Sequence, residues 1–370
     1  MKAAVLRVLG ALAIGLVLLV AMELALRLLP IARGVHRQDP QSAGSSTRLL
    51  AHHDYTWSLG WDLRHVVHGR TNAMGFISPH EYTAGQPAVA LLGDSFVEGE
   101  MLGYEESLAG RLDAALGGRA QAFNFGMSGA AMPHYLGIAR EMGEKFRFAA
   151  AVVVITGDDY IEGFERQEGL YSWSKDPRGT LIELVPAARR GRFIQLARES
   201  ALANYLRLNL KFSPSRLLAF TGRPACSRGE FTDDDRIRLA RYVDALPQAL
   251  HLAPQRIVLV FTEDVGRIYE RVDRKQPAGL QRECMDRDAL ARAELEKLAV
   301  ASGMQRIDAG SVLEEHYRVH HWPLDFSPVD KHWNGTSTAA LAAEIAPLLR
   351  AGLEVPGPNA PAVKFAATGR

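Results

Sequence analysis

Cysteine is nearly absent from this chain: Cys226 and Cys284 are the only two in 370 residues. That excludes a disulfide-built scaffold, and the pair matches no metal-ligand spacing. In an oxidising compartment the two thiols would pair; two unrelated thiols is the other reading. A surplus of either charge is missing as well. The net charge of +1 leaves no electrostatic footprint for nucleic acid. No internal repeat is present, and nothing points to a cofactor. What remains is an ordinary globular composition, 47% hydrophobic, with enough length for two domains or one large α/β domain carrying an insertion.

Charge is missing altogether from one stretch, residues 8–22, and its flanks at 3–6 and 24–29 are largely apolar. The segment reaches the roughly 20 residues that spanning requires if Arg7, Glu23 or Arg27 lie near the interfaces. No small-x-small cleavage site follows, because Glu23, Leu24, Leu28 and Leu29 intervene. Residues 1–30 therefore read as an uncleaved anchor rather than a removed signal peptide. Lys2 and Arg7 face Arg27, Arg33 and Arg37, so the positive-inside rule is nearly silent on orientation. A short N-terminal tail before a large domain points to export, placing the domain in the periplasm of a bacterial inner membrane or at the cell exterior. Residues 31–48, with Gly34, Pro40, Ser42, Gly44, Ser45 and Ser46, read as a tether.

The domain proper spans 49–352. An aromatic- and histidine-rich stretch, 52–82, reads as a short hairpin over the sheet. Strand patterns then fall at 89–92, 121–125, 150–155, 256–261 and 304–307, alternating with helical patterns at 105–116, 132–145, 232–250 and 287–302, with a last helix at 335–350. Thr232 before Asp233, Asp234 and Asp235 is a good N-cap. This alternation predicts a parallel sheet with helices on both faces. An insertion at about 160–231 breaks the rhythm. It opens with a hairpin-like pair, 170–173 and 181–185. A basic amphipathic stretch follows, with Arg189, Arg190, Arg192, Arg198, Arg207 and Lys211 interleaved with Phe193, Leu196, Leu202 and Leu206. It reads as a solvated face packed on the sheet, with contact to anionic lipid or an acidic polymer as the alternative. The tail 353–370 reads as disordered.

Chemistry concentrates at two places. The apolar run 88–92 stops at Gly93-Asp94-Ser95, which delivers a serine hydroxyl at the carboxyl end of a strand. A hydroxyl needs a base, and the base an orienting partner. Of twelve histidines, His332 stands apart in the Pro/Gly-punctuated loop Ser327-Pro328-Val329-Asp330-Lys331-His332-Trp333-Asn334-Gly335. Asp330, two residues earlier, is placed to accept the imidazole N–H while the other ring nitrogen faces the serine. Asp325 is the fallback partner. Gly126-Met127-Ser128-Gly129-Ala130 is a near miss for a Gly-x-Ser-x-Gly elbow and reads as a tight turn. His316, His320 and His321 lack a carboxylate at ligand spacing, so no metal site is expected. His52, His53, His65 and His68 read as surface or packing residues.

These motifs, in this order, resemble the SGNH (GDSL) hydrolases over roughly residues 71–350. Gly93-Asp94-Ser95 is similar to the family's first block, which implies Ser95 as nucleophile and its amide as an oxyanion donor. Asn124-Phe125-Gly126-Met127-Ser128-Gly129 is similar to the second, which implies a second oxyanion donor in the Gly129 amide. Asp330-Lys331-His332-Trp333-Asn334 is similar to the last, which implies His332 as base and Asp330 as its orienter. The resemblance implies a flavodoxin-like three-layer α/β fold. The Asn72 to Phe76 stretch and the anchor look like the membrane-anchored bacterial branch.

The third block departs from the pattern. Thr156-Gly157-Asp158-Asp159 puts Asp158 where the family has an asparagine that donates to the oxyanion. An ionised carboxylate cannot donate. Three explanations stay open: Asp158 buried and protonated, Asn124 substituting, or a site that is slow or tuned to another acceptor. The function expected is an ester hydrolase acting on acyl groups, acetyl above all, of an envelope glycan. An O-acyltransferase using the same residues is the near variant. A catalytically impaired binding or scaffold component of polysaccharide assembly is the distant one.

Overall fold

The computed structural model describes residues 2–38, 46–187, 198–212, 230–273 and 287–354. Cys226 and Cys284, the tail beyond 354, and Arg189, Arg190, Arg192, Phe193 and Leu196 of the basic stretch lie outside them.

Helix α1 (Lys2–Arg27) contains a stretch, Ala4–Arg27, long and apolar enough to cross a membrane by length and composition. Of the tether expected at 31–48, the described residues 31–38 do not hang free. Ile31 and Ala32 are buried, and Arg33 exchanges backbone hydrogen bonds with Thr56 at 2.7 and 3.1 Å. Gly34, Pro40, Ser42, Gly44, Ser45 and Ser46 suggest a tether, but the apolar Ile31, Ala32 and Val35 find cover against the domain. The strand they join, β1 (Asp54–Leu59), pairs antiparallel with β2 (Arg64–Arg70).

Five strands form one parallel sheet: β3 (Ala88–Leu92), β4 (Gln121–Asn124), β5 (Phe148–Ile155), β8 (Ile257–Phe261) and β9 (Gln305–Asp308). Between β5 and β8 lies a small antiparallel pair in the insertion, β6 (Tyr171–Trp173) and β7 (Ile182–Leu184). The sheet order is β4-β3-β5-β8-β9, which counted within the sheet is 2-1-3-4-5, the doubly wound flavodoxin-like order. Successive residues of each strand point to opposite faces, so Ala88, Ala90 and Leu92 enter one core and Val89 and Leu91 the other. The first core is covered by α4 (Met132–Gly143), α7 (Asp233–Leu250) and α9 (Arg287–Ala301). The second is covered by α3 (Leu108–Leu116), α8 (Val265–Val272), α10 (Ala309–His320) and α11 (Gly335–Glu354). Three short helices complete the set: α2 (Ser95–Glu98), α5 (Asp159–Glu162) and α6 (Ala201–Asn204).

The five expected strands and the helices over 132–145, 232–250, 287–302 and 335–350 are present with small shifts of boundary. Thr232 caps α7 as expected and forms a reciprocal capping box with Asp235. Besides the one-turn helices α2 and α5, two longer helices, α8 and α10, have no counterpart among those expected from the sequence. α10 starts at the residue after β9, with Asp308 as N-cap, and buries only Ala309, Gly310 and Leu313. His332 also departs from expectation: it lies on β11 (Asp330–Trp333), paired with β10 (Asp325–Phe326), rather than in an open loop.

Candidate active site

In a sheet of order 2-1-3-4-5 the chain reverses direction beside its first strand, and the crevice opens beyond the carboxyl ends there. Ser95 follows β3 and Asp158 follows β5, the two strands that flank this point. Asp94 closes the strand by accepting a hydrogen bond from Phe96 N–H at 3.0 Å, which turns the chain into α2 and presents the Ser95 side chain.

His332 arrives from the opposite end of the sequence, and its Nε2 lies 2.8 Å from Ser95 Oγ. Its Nδ1 lies 2.5 Å from Asp330 Oδ1. A carboxylate at Nδ1 holds the proton on that nitrogen, leaving Nε2 as acceptor for the serine hydroxyl. Asp330 Oδ1 also accepts from His332 N–H at 2.9 Å, and Oδ2 faces Lys211 Nζ at 3.3 Å. Burial works to raise the Asp330 carboxyl, yet the hydrogen bonds and charge of His332, aided by Lys211, hold it down at about 2. The fallback, Asp325, is committed elsewhere: it accepts from Tyr269 OH at 3.0 Å and from Ser327 Oγ at 2.6 Å.

The turn carrying Gly129 is tied to the serine turn through Met127 N–H, which donates to Gly93 C=O at 3.1 Å. Gly129 has φ of +72°, a left-handed conformation that favours glycine. Gly126 is glycine for another reason: a Cβ there would collide with the backbone of Val97 and Glu98. Two charged groups hold this turn that the sequence reading did not single out. Ser128 Oγ donates to Glu98 Oε2, and Arg37 donates to the Ser128 carbonyl. Ser128 is thus engaged with a carboxylate and not with a histidine, in keeping with the tight-turn reading of 126–130. Glu98 is buried, which raises its carboxyl. Burial, then the Glu98 charge, pushes neighbouring Glu100 up to about 7. On the other side of Ser95, burial and the nearby Asp158 carboxyl push Asp94 up to about 7, against Phe96 N–H and His332.

Two of the explanations for Asp158 do not hold. Asp158 is exposed at the start of α5, where its Oδ1 accepts from Thr156 Oγ1 at 3.3 Å, so the buried position that the first explanation requires is not there. Asn124 is buried and spoken for: its amide donates to Ile77 C=O at 3.2 Å and Glu98 C=O at 3.3 Å, and its Oδ1 accepts from Gly126 N–H. The following residue, Asp159, is structural, accepting from Thr156 N–H at 2.7 Å and from Tyr135 OH at 3.0 Å. His320 stacks on Trp322 and His316 lies against both, and among the described residues no cluster of metal-ligand type is present. His68 bonds Thr56 Oγ1, and His65 packs on Trp57 and Phe326.

No family model matches the chain, and no curated protein matches it. Among solved structures it is similar to a carbohydrate acetylesterase family member from Sinorhizobium meliloti, at 14% identity and TM-score 0.34, over 73% of this chain and 100% of that one. It is similar to an alpha/beta hydrolase enzyme from the metagenome of Lake Arreo, Spain, at 13% identity and TM-score 0.38, over 74% and 96%. A lipase/acylhydrolase from Enterococcus faecalis is similar at 12% identity and TM-score 0.37, over 72% and 96%. Likenesses this remote transfer no activity, and the chemistry of the site is read from its own residues.

Proposed function

We propose that the chain is an SGNH-type serine esterase, tethered to the membrane by α1, that cleaves acyl esters, chiefly acetyl esters, of an envelope glycan. The single observation that carries the reading is the relay Ser95 Oγ to His332 Nε2 at 2.8 Å and His332 Nδ1 to Asp330 Oδ1 at 2.5 Å. In the first step Ser95 Oγ bonds to the ester carbonyl carbon while His332 Nε2 takes its proton. The amides of Ser95 and Gly129 hold the resulting oxyanion. Collapse breaks the bond to the alkoxy oxygen, which leaves as an alcohol with the proton from His332. Water then repeats the sequence on the acyl-serine and releases the acid. Asp330 stays ionised throughout and supports the imidazolium.

Asp158 has no donor role in this reading. Losing one oxyanion donor typically lowers the rate by roughly a hundred- to a thousandfold, so the reaction runs on two amides and is slower than one with three donors. The acetyl-glycan substrate is supported by the exported position that α1 suggests and by the resemblance of the motifs. A fluorophosphonate probe tests the activity class. Wild type acquires the label and Ser95→Ala does not; folded wild type that stays unlabelled sinks the esterase and its transferase variant together. Acetate release from O-acetylated glycans, compared between the same two proteins, tests the substrate.

A further inference from the structure

The anchor and the insertion meet at one place. Glu23, in the last turns of α1, accepts hydrogen bonds from the backbone N–H groups of Ala201 at 3.0 Å and Leu202 at 2.9 Å, and from the Ser200 hydroxyl at 2.9 Å. Arg27 donates to the same carboxylate at 2.8 Å. The start of α6 is therefore held level with the end of α1. Beyond α6 the chain makes a π-helical turn, Tyr205–Asn209. Asn209 fastens it to the domain, accepting from Ala32 N–H at 3.1 Å and donating to Ser58 C=O at 3.0 Å. Tyr205 OH donates to the Trp61 carbonyl at 2.9 Å, which brings the tip of the β1–β2 hairpin alongside.

Fastened in this way, the segment turns apolar side chains outward. Leu206 is 38% exposed, Leu210 41% and Phe212 50%, with Trp61 at 73% and Leu28 at 87%. Arg207 and Lys211 are exposed among them. We propose that this face rests in the head-group layer of an anionic bilayer, beside the emerging end of α1. Twenty-four residues at about 1.5 Å each make a span near 36 Å, enough to cross a hydrocarbon core of about 30 Å. The end of α1 then lies at the interface, and whatever Glu23 grips lies there with it. Tryptophan favours that layer, and leucine and phenylalanine among arginine and lysine form the mixed surface that an interfacial segment presents to acidic lipid. A bilayer is thus the occupant already adjacent, by continuity of the chain itself. The same segment ends at Lys211, 3.3 Å from Asp330, so the surface resting on lipid is continuous with the Ser95 site.

The inference rests on α1 spanning the bilayer and is independent of the chemistry at Ser95. The test uses the full chain reconstituted in phosphatidylglycerol/phosphatidylethanolamine vesicles whose acyl chains carry bromine near the head group. The difference in emission between wild type and Trp61→Phe isolates Trp61. That difference signal is expected to fall about twofold in brominated lipid. Leu206→Ser/Leu210→Ser/Phe212→Ser is expected to abolish the quenching while the protein still floats with the vesicles. Unquenched Trp61 in a wild-type chain that floats and resists carbonate extraction overturns the docking and leaves the span intact. A chain that does not float overturns both. Neither result bears on probe labelling of Ser95, which is scored separately.

Discussion

Asp330 keeps its charge in a buried position because every donor around it is supplied by two residues, His332 and Lys211. Its folded value of about 2 lies below the ordinary carboxylate range, so its contribution to stability is present above about pH 4 and is lost as pH falls through 2. Loss of activity at mildly acidic pH therefore does not come from Asp330. Asp330→Asn keeps the shape but lets Nδ1 face a donor, which favours the wrong tautomer; the rate of probe labelling is expected to drop by on the order of ten-thousandfold. Asp158→Asn is the opposite experiment. An amide at an exposed rim position restores a donor without disturbing a core, and esterase activity is expected to hold or rise, by up to roughly a hundredfold. A large loss in that variant counts against the assignment of the third block. Ser95, Asp330 and His332 are legible in the sequence because each sits in a short local pattern. Lys211 and Glu98 are not. Lys211 reaches Asp330 across 119 positions from a residue with φ of +52°, and Glu98 is a lone acid in a short helix whose burial depends on a turn thirty residues away.

At the scale of elements, the site depends on how closely the turn after β4 approaches α2. Gly126 has no room for a methyl group against the Glu98 backbone, and the contact is between main chains that cannot rotate away. Gly126→Ala is expected to cost at least about 2 kcal/mol of stability and to displace Gly129 from Ser95. A denaturant melt and the labelling rate of the same variant check the two effects; a wild-type melting curve removes the packing account. The strands of the sheet and its two cores follow from patterns visible in the sequence, since β3, β5 and β8 are short apolar runs buried on both faces; the strand order is implied by the resemblance and not by periodicity. α10 escapes that reading because it abuts β9 without a turn. The packing of Ile31 and Ala32 escapes it because two adjacent apolar residues between Pro30 and Arg33 carry no period at all.

Across the whole molecule, buried acids gather around one end of the sheet: Asp94, Glu98 and Glu100 all hold protons more tightly than free carboxyls do. A carboxyl raised to about 7 in the fold stabilises fully below the unfolded value near 4, and that contribution is lost as pH rises through 7. Glu100→Gln, which keeps the acceptor and removes the charge, is expected to raise the melting temperature more at pH 8 than at pH 5. Equal shifts at both values mean that the carboxyl is not protonated in the fold.

The grip of Glu23 on Ser200, Ala201 and Leu202 has a mechanical consequence. A span longer than the hydrocarbon core is accommodated by leaning, and thinner bilayers make it lean further. With α1 spanning the bilayer as proposed and its last turns bonded to the domain, it would not lean alone; the sheet and the Ser95 site would lean with it. On that proposal lipid thickness becomes a geometric input to the orientation of the site. Turnover on a surface-bound ester is expected to vary with acyl-chain length in the wild-type protein. In Glu23→Ala, where the hinge is freed, that dependence is expected to flatten.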